Sequence, residues 1–155
     1  MLLSHAALVP VAEAFIYGSG HLDDLPNAAA RSRSIALGDD LAVFGLEPPR
    51  PVDMSFLHSR GGVAGLLYVL EGSRLGATVI RRRLAQSGEA FPTSFLSHGE
   101  GSGLWPSFLH WLNSTQWSDR ERADMRDNAI ILFEHYLKTA EALFPADGSD
   151  PRTQS

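Results

Sequence analysis

The stretch "GLLYVLEGSRLGATVIRRRL", Gly65–Leu84, decides how the chain reads. At about 100° per residue, Leu66, Leu70, Ser73, Ala77, Ile80 and Leu84 form one train of three- and four-residue steps. That phase runs unbroken through "EGSRLGA", which predicts one long helix rather than two helices and a loop. Yet Gly72 and Gly76 sit in its middle, each costing roughly 1 kcal/mol relative to Ala. Gly61, Gly65, Gly72 and Gly76 share an arc of about 60° beside the apolar train. They leave a strip of bare main chain. Such a strip admits either a second helix packed through small residues or a flat ligand. Spacing alone favours the helix.

Working outward, nothing alternates with the period of a strand. Leu2–Tyr17 has helical spacing, with Leu3, Ala7, Val11, Ala14 and Phe15 on one face and Pro10 as a possible kink. A second helix is predicted near Ser34–Gly45, with Ile35, Leu41 and Phe44 inward. "GLEPPRPVD" is a stiff loop. The central helical region is expected from about Met54 to Ser87, with a break possible at Gly61–Gly62. "SGEAFPTSFLSHGEGSG" reads as a loop or cover, and Trp105–Asn113 as a short helix anchored by tryptophans. Ser118–Glu121, "SDRE", is a capping box. It opens a helix in which Met125, Ala129, Leu132, Phe133, Tyr136, Ala140 and Leu143 recur at helical intervals up to Pro145. The expectation is an all-α, single-domain bundle over residues 1–145 with about five to seven helices. A polar tail, 146–155, is expected to be disordered.

Composition narrows function. The 155-residue chain has no cysteine, which excludes disulfides, thiol catalysis and cysteine-held metals. A net charge of −5 argues against a general nucleic-acid footprint. No apolar run is read as a membrane span. "MLLSHAALVPVAEAF" lacks the basic start of a signal peptide, so a cytoplasmic protein is expected.

"LLYVLEGSRLGATVIRRRL" is similar to the central motif of bacterial heme oxygenases, in particular the phytochrome-associated, biliverdin-producing type. Tyr68, Val69, Leu70, Glu71, Gly72, Ser73, Leu75 and Gly76 match in register, and Ala77 stands where the family has a second glycine. Arg81, Arg82 and Arg83 match its basic end in character. "LLSHAALVPVAEAF" and "RSRSIALGDDLAVFGL" more loosely resemble the family's second helical stretch and the segment after it. The resemblance implies a heme oxygenase-like bundle whose distal helix lies over one face of heme. Heme would be both substrate and cofactor, cleaved to biliverdin, carbon monoxide and iron with electrons from an external donor. A phytochrome would be a possible client for the biliverdin. It implies that Gly72 and Gly76 let the macrocycle and bound dioxygen approach the main chain, and that Ser73 is a weak candidate for holding distal water. Ala77 would crowd the site modestly, and Arg83 or a neighbouring arginine would meet a propionate.

The same resemblance places the proximal histidine on a helix upstream of anything in this sequence. The axial ligand is therefore unassigned, with His5 a secondary candidate. His21 and His58 flank loops, His98 sits in a glycine-rich loop, and His110 and His135 read as packing or boundary residues. Apolar surface left bare by a missing helix would favour a homodimer. The alternatives are a non-catalytic tetrapyrrole-binding protein and a helical interaction module with no ligand.

Overall fold

The computed structural model describes residues 1–143 and residue 145. It is an all-α bundle of six α-helices, with no strand among the described residues: α1 Leu2–Gly18, α2 Ser34–Val43, α3 Arg60–Gln86, α4 Ser94–Ser97, α5 Leu104–Ser114 and α6 Asp119–Leu143. A 3-10 turn, Ala28–Arg31, precedes α2. The predicted tail, 146–155, and Phe144 lie outside the described residues.

The long central helix is continuous through all four of its strip glycines. It begins at Arg60, because Ser59 is an N-cap whose hydroxyl accepts from the Gly62 N–H at 3.0 Å. The expected helical start at Met54 is thus corrected: 54–58 form no helix and run up to that cap. α3 is long and apolar enough, by length and composition, to cross a membrane, but half of that window is buried inside the bundle. Its Glu71 is buried in a cluster of arginines. It is built as the core helix, against which α6 makes the most extensive packing and α1, α4 and α5 the rest.

The capping box forms as spaced. Glu121 accepts from the Ser118 N–H at 2.9 Å, and the Glu121 N–H donates to the Ser118 hydroxyl at 3.2 Å. The core joins Leu8, Val9 and Ile16 of α1, Leu37 and Leu41 of α2, Leu66 and Leu70 of α3, and Phe95, Phe108 and Leu132. Several inward assignments are corrected. Ile35 is 82% exposed and Phe44 and Phe133 face solvent, whereas Leu37 fills the place expected of Ile35. Ala14 and Ala140 are also exposed. In α1, Ala12 and Ile16 point inward, so the buried face is rotated from the expected one. α1 is apolar around most of its circumference, so its periodicity left the inward face underdetermined. α4 interrupts the segment expected to be loop because the Asp40 carboxylate accepts from the Ser94 and Phe95 N–H groups, both at 3.0 Å.

Candidate functional site

The glycine strip divides into two halves with different neighbours. A Cβ on Gly61 would overlap the main chain at Glu121, and one on Gly65 the main chain at Met125. Here the strip is a backbone-to-backbone helix contact. A Cβ on Gly72 would instead meet only the Trp105 ring, at 3.7 Å, an ordinary van der Waals distance. A Cβ on Gly76 would meet nothing within 4 Å among the described residues. Gly76, Val79 and Arg83 follow at three- and four-residue steps and are all exposed, with Leu75 exposed beside them. The second half of α3 therefore presents an open, mainly apolar face ending in a cation. Ala77 turns away from it, 5% exposed, into the core.

Behind this face lies a buried polar cluster that helical spacing and composition do not reveal. Arg31 donates to Glu71 at 2.8 Å and to the Leu104 carbonyl at 2.8 Å. Arg74 grips Glu71 with two nitrogens, each at 3.0 Å, and reaches the carbonyls of Arg31 and His98. Arg33, 2% exposed, lies over the Phe95 ring at 4.7 Å. It donates from Nη2 to the Leu70 carbonyl at 2.8 Å and to the Ser73 hydroxyl at 2.7 Å. Glu13 holds the Arg33 N–H and the Ser32 and Ser34 hydroxyls, joining α1 to the start of α2. Burial lowers the Arg33 guanidinium to about 10, so it remains a cation at neutral pH. The alternation "RSRS" at 31–34 was the available signal, but polarity alone assigns such arginines to the surface.

The Ser73 hydroxyl donates to the Leu70 carbonyl at 2.7 Å and accepts from Arg33. A hydroxyl has one donor and two acceptor positions, so one acceptor position is left over. Of the basic end, Arg81 pairs with Glu100, while Arg82 and Arg83 are exposed. Trp105, Phe108, Trp111 and Trp117 form a run of ring contacts, successive centroids lying 5.5–5.9 Å apart, that fixes α5 to the core.

The histidines are dispersed, and no group of three or more metal-ligating side chains forms among the described residues. His21 contacts the His58 carbonyl at 3.2 Å. His98 lies 3.2 Å from Arg74, and burial followed by that cation lowers its pKa. His5 differs from these. Its Nδ1 is 3.1 Å from the Tyr136 hydroxyl, and its ring packs on Phe95 at 4.8 Å. It lines a cleft of about 440 Å³ between α1 and α6 with Met1, Ser4, Phe133, Tyr136, Leu137 and Ala140. A second cleft, about 260 Å³, runs between α3 and the glycine-rich loop at Leu75, His98 and Trp105. Neither Gly72 nor Gly76 lines these two clefts.

No protein-family model matches the chain, and no solved structure matches it. Over 112 residues it is 35% identical to the heme oxygenase of Xanthomonas campestris pv. campestris (strain 8004), a match taking in 68% of this chain. The chain spans 66% of the length of that relative. This likeness, carried by an all-α chain with one long glycine-bearing core helix, supports its membership of the heme oxygenase family.

Proposed function

We propose that the chain is a heme oxygenase, cleaving heme oxidatively to biliverdin, carbon monoxide and iron, with heme as substrate and cofactor. The likeness to the Xanthomonas enzyme carries the reading. The geometry of α3 supports it: the main chain at Gly76 is bare, and a Cβ placed there meets nothing within 4 Å among the described residues, so a planar macrocycle can approach the main chain at that point. Leu75 and Val79 would supply apolar contact beside it. Arg83, on the same face, would bind a propionate carboxylate. Trp105 would form an edge of the seat at Gly72.

When bound, heme supplies the iron at which dioxygen is activated. The chain's part is positional. Arg33 and Ser73 both donate to the Leu70 carbonyl, fixing α3 one turn before the open face. The remaining acceptor position on Ser73 would orient a water. Ala77, with its methyl in the core, would leave the open face uncrowded. Electrons would come from an external donor, and a phytochrome would take up the biliverdin. The protein would work in the cytoplasm, with the exposed apolar side chains of α6 available for a homodimer.

Hemin titration tests the reading. A sharp Soret band, followed by biliverdin absorbance and carbon monoxide release on adding ascorbate or a reductase, is expected. Gly76→Leu, which fills the bare position, is expected to abolish the band while the helical content stays the same. A band without turnover would identify a non-catalytic tetrapyrrole binder. No band at all would return the chain to a helical interaction module.

A further inference from the structure

Trp105 stands between the open face of α3 and the surface. Its ring lies 3.7 Å from where a Gly72 Cβ would be, so the bare main chain leaves it against the Gly72 end of the seat. On its other side is Tyr68, the two ring centroids 5.9 Å apart, within the range of touching aromatics. Tyr68 is 43% exposed. A phenol in contact with water can lose its proton to water as it loses an electron, whereas a buried one cannot do so as readily.

Ring contacts also run inward from Trp105, through Phe108 and Trp111 to Trp117. That branch resists oxidation. Phe108, next in line, is a plain benzene ring and gives up an electron far less readily than an indole or a phenol. The buried indole N–H of Trp111 has no partner among the described residues, so an oxidised Trp111 would have no group to take its proton. The Arg60 guanidinium lies 4.9 Å from the Trp117 centroid. A cation is attracted to a neutral ring and repelled by one that has lost an electron. An electron vacancy on Trp105 is therefore kept out of the core and passes to Tyr68.

We propose that Trp105 and Tyr68 form an electron relay that draws an oxidising equivalent from the ligand seat to the surface, where a small reductant quenches it. The relay rests on the reading of the chain as a heme oxygenase and adds to it a protective redox function. The oxidant is hydrogen peroxide reacting at bound hemin. In each event Trp105 gives up one electron, and Tyr68 refills it. Tyr68 loses its phenolic proton to water and is left as the neutral tyrosyl radical. Two events supply the two electrons and two protons that break the O–O bond of one peroxide and convert it to two waters, the iron ending as it began. Ascorbate restores the tyrosine after each event by returning a hydrogen atom.

The test loads the whole chain with hemin, confirms binding by the Soret band, adds hydrogen peroxide and freezes the sample for EPR. Wild type is expected to show a tyrosyl radical that ascorbate removes. The chain has three tyrosines, so each can be replaced in turn. Tyr68→Phe is expected to lose the tyrosyl signal, to show a tryptophan radical in its place and to bleach its Soret band faster. Tyr17→Phe and Tyr136→Phe are expected to keep the tyrosyl signal. Trp105→Phe is expected to lose it while Tyr68 is still present. Circular dichroism establishes that each variant is folded. Tyr68→Phe removes only one oxygen from a half-exposed ring, and so covers the case in which Trp105→Phe does not fold. A Soret band with no tyrosyl radical in wild type, a tyrosyl signal retained in Tyr68→Phe, or one undiminished in Trp105→Phe overturns the relay and leaves the heme reading standing. Absence of any hemin spectrum in wild type overturns both.

Discussion

At the scale of single residues, four glycines in one strip carry two different loads. Gly61 and Gly65 have the α6 main chain where a side chain would go, so neither can gain a Cβ without parting the helices. Gly61→Ala and Gly65→Ala are each expected to destabilise by about 2–3 kcal/mol or more, read from urea unfolding midpoints. Gly76→Ala is expected to be neutral or to stabilise by up to about 1 kcal/mol, since it gains helix propensity and meets nothing. Equal losses at positions 65 and 76 would refute this division of the strip. Two buried polar residues make a similar contrast. Glu71→Ala leaves the buried Arg31 and Arg74 cations without their carboxylate and is expected to cost about 3–5 kcal/mol. The indole N–H of Trp111 is buried with no partner among the described residues, so Trp111→Phe removes an unmet donor and is expected to cost far less than Trp111→Ala. The spacing of the glycines was readable in the sequence. Which of them touch a helix was not, because all four are equivalent on a helical wheel and differ only in their tertiary neighbours.

At the scale of elements, α3 and α6 account for most of the packing, and their starts are set locally. Ser118 and Glu121 satisfy one another and two main-chain donors at the head of α6. Ser118→Ala is expected to lower stability by about 1 kcal/mol, measured by chemical unfolding, with faster amide exchange in the first turn of α6. This element was legible because a capping box is a contact between near neighbours. α2 was legible as a helix but not in its orientation. Ile35 is the more obvious core residue by type, yet Leu37 and Leu41 face inward, because Glu13 and Arg33 clamp the helix start in another rotation. A polar contact between α1 and α2 overrode a weak apolar pattern.

At the scale of the whole molecule, His5 links α1 to α6, and its burial is expected to make the bundle sensitive to acid. Its folded pKa is lowered to about 4, below the ordinary value of 6.5. The folded state then binds fewer protons than the unfolded state between those values, so stability rises with pH there. The contribution is complete above about pH 6.5 and lost as pH falls towards 4, amounting to about 3 kcal/mol. Chemical unfolding as a function of pH checks this, and His5→Phe is expected to flatten the profile across that window. A profile equally steep in His5→Phe would assign the acid sensitivity elsewhere.

By itself the sequence determined the features that near neighbours along the chain impose: helical period, the capping box, the proline loop, and the motif from Tyr68 to Gly76 that carries the family likeness. The tertiary structure alone decided which glycines are covered, which arginines are buried, and which histidine stands in an apolar cleft. The physical reason is that period and capping are short-range, whereas burial, desolvation and charge pairing depend on residues tens of positions away.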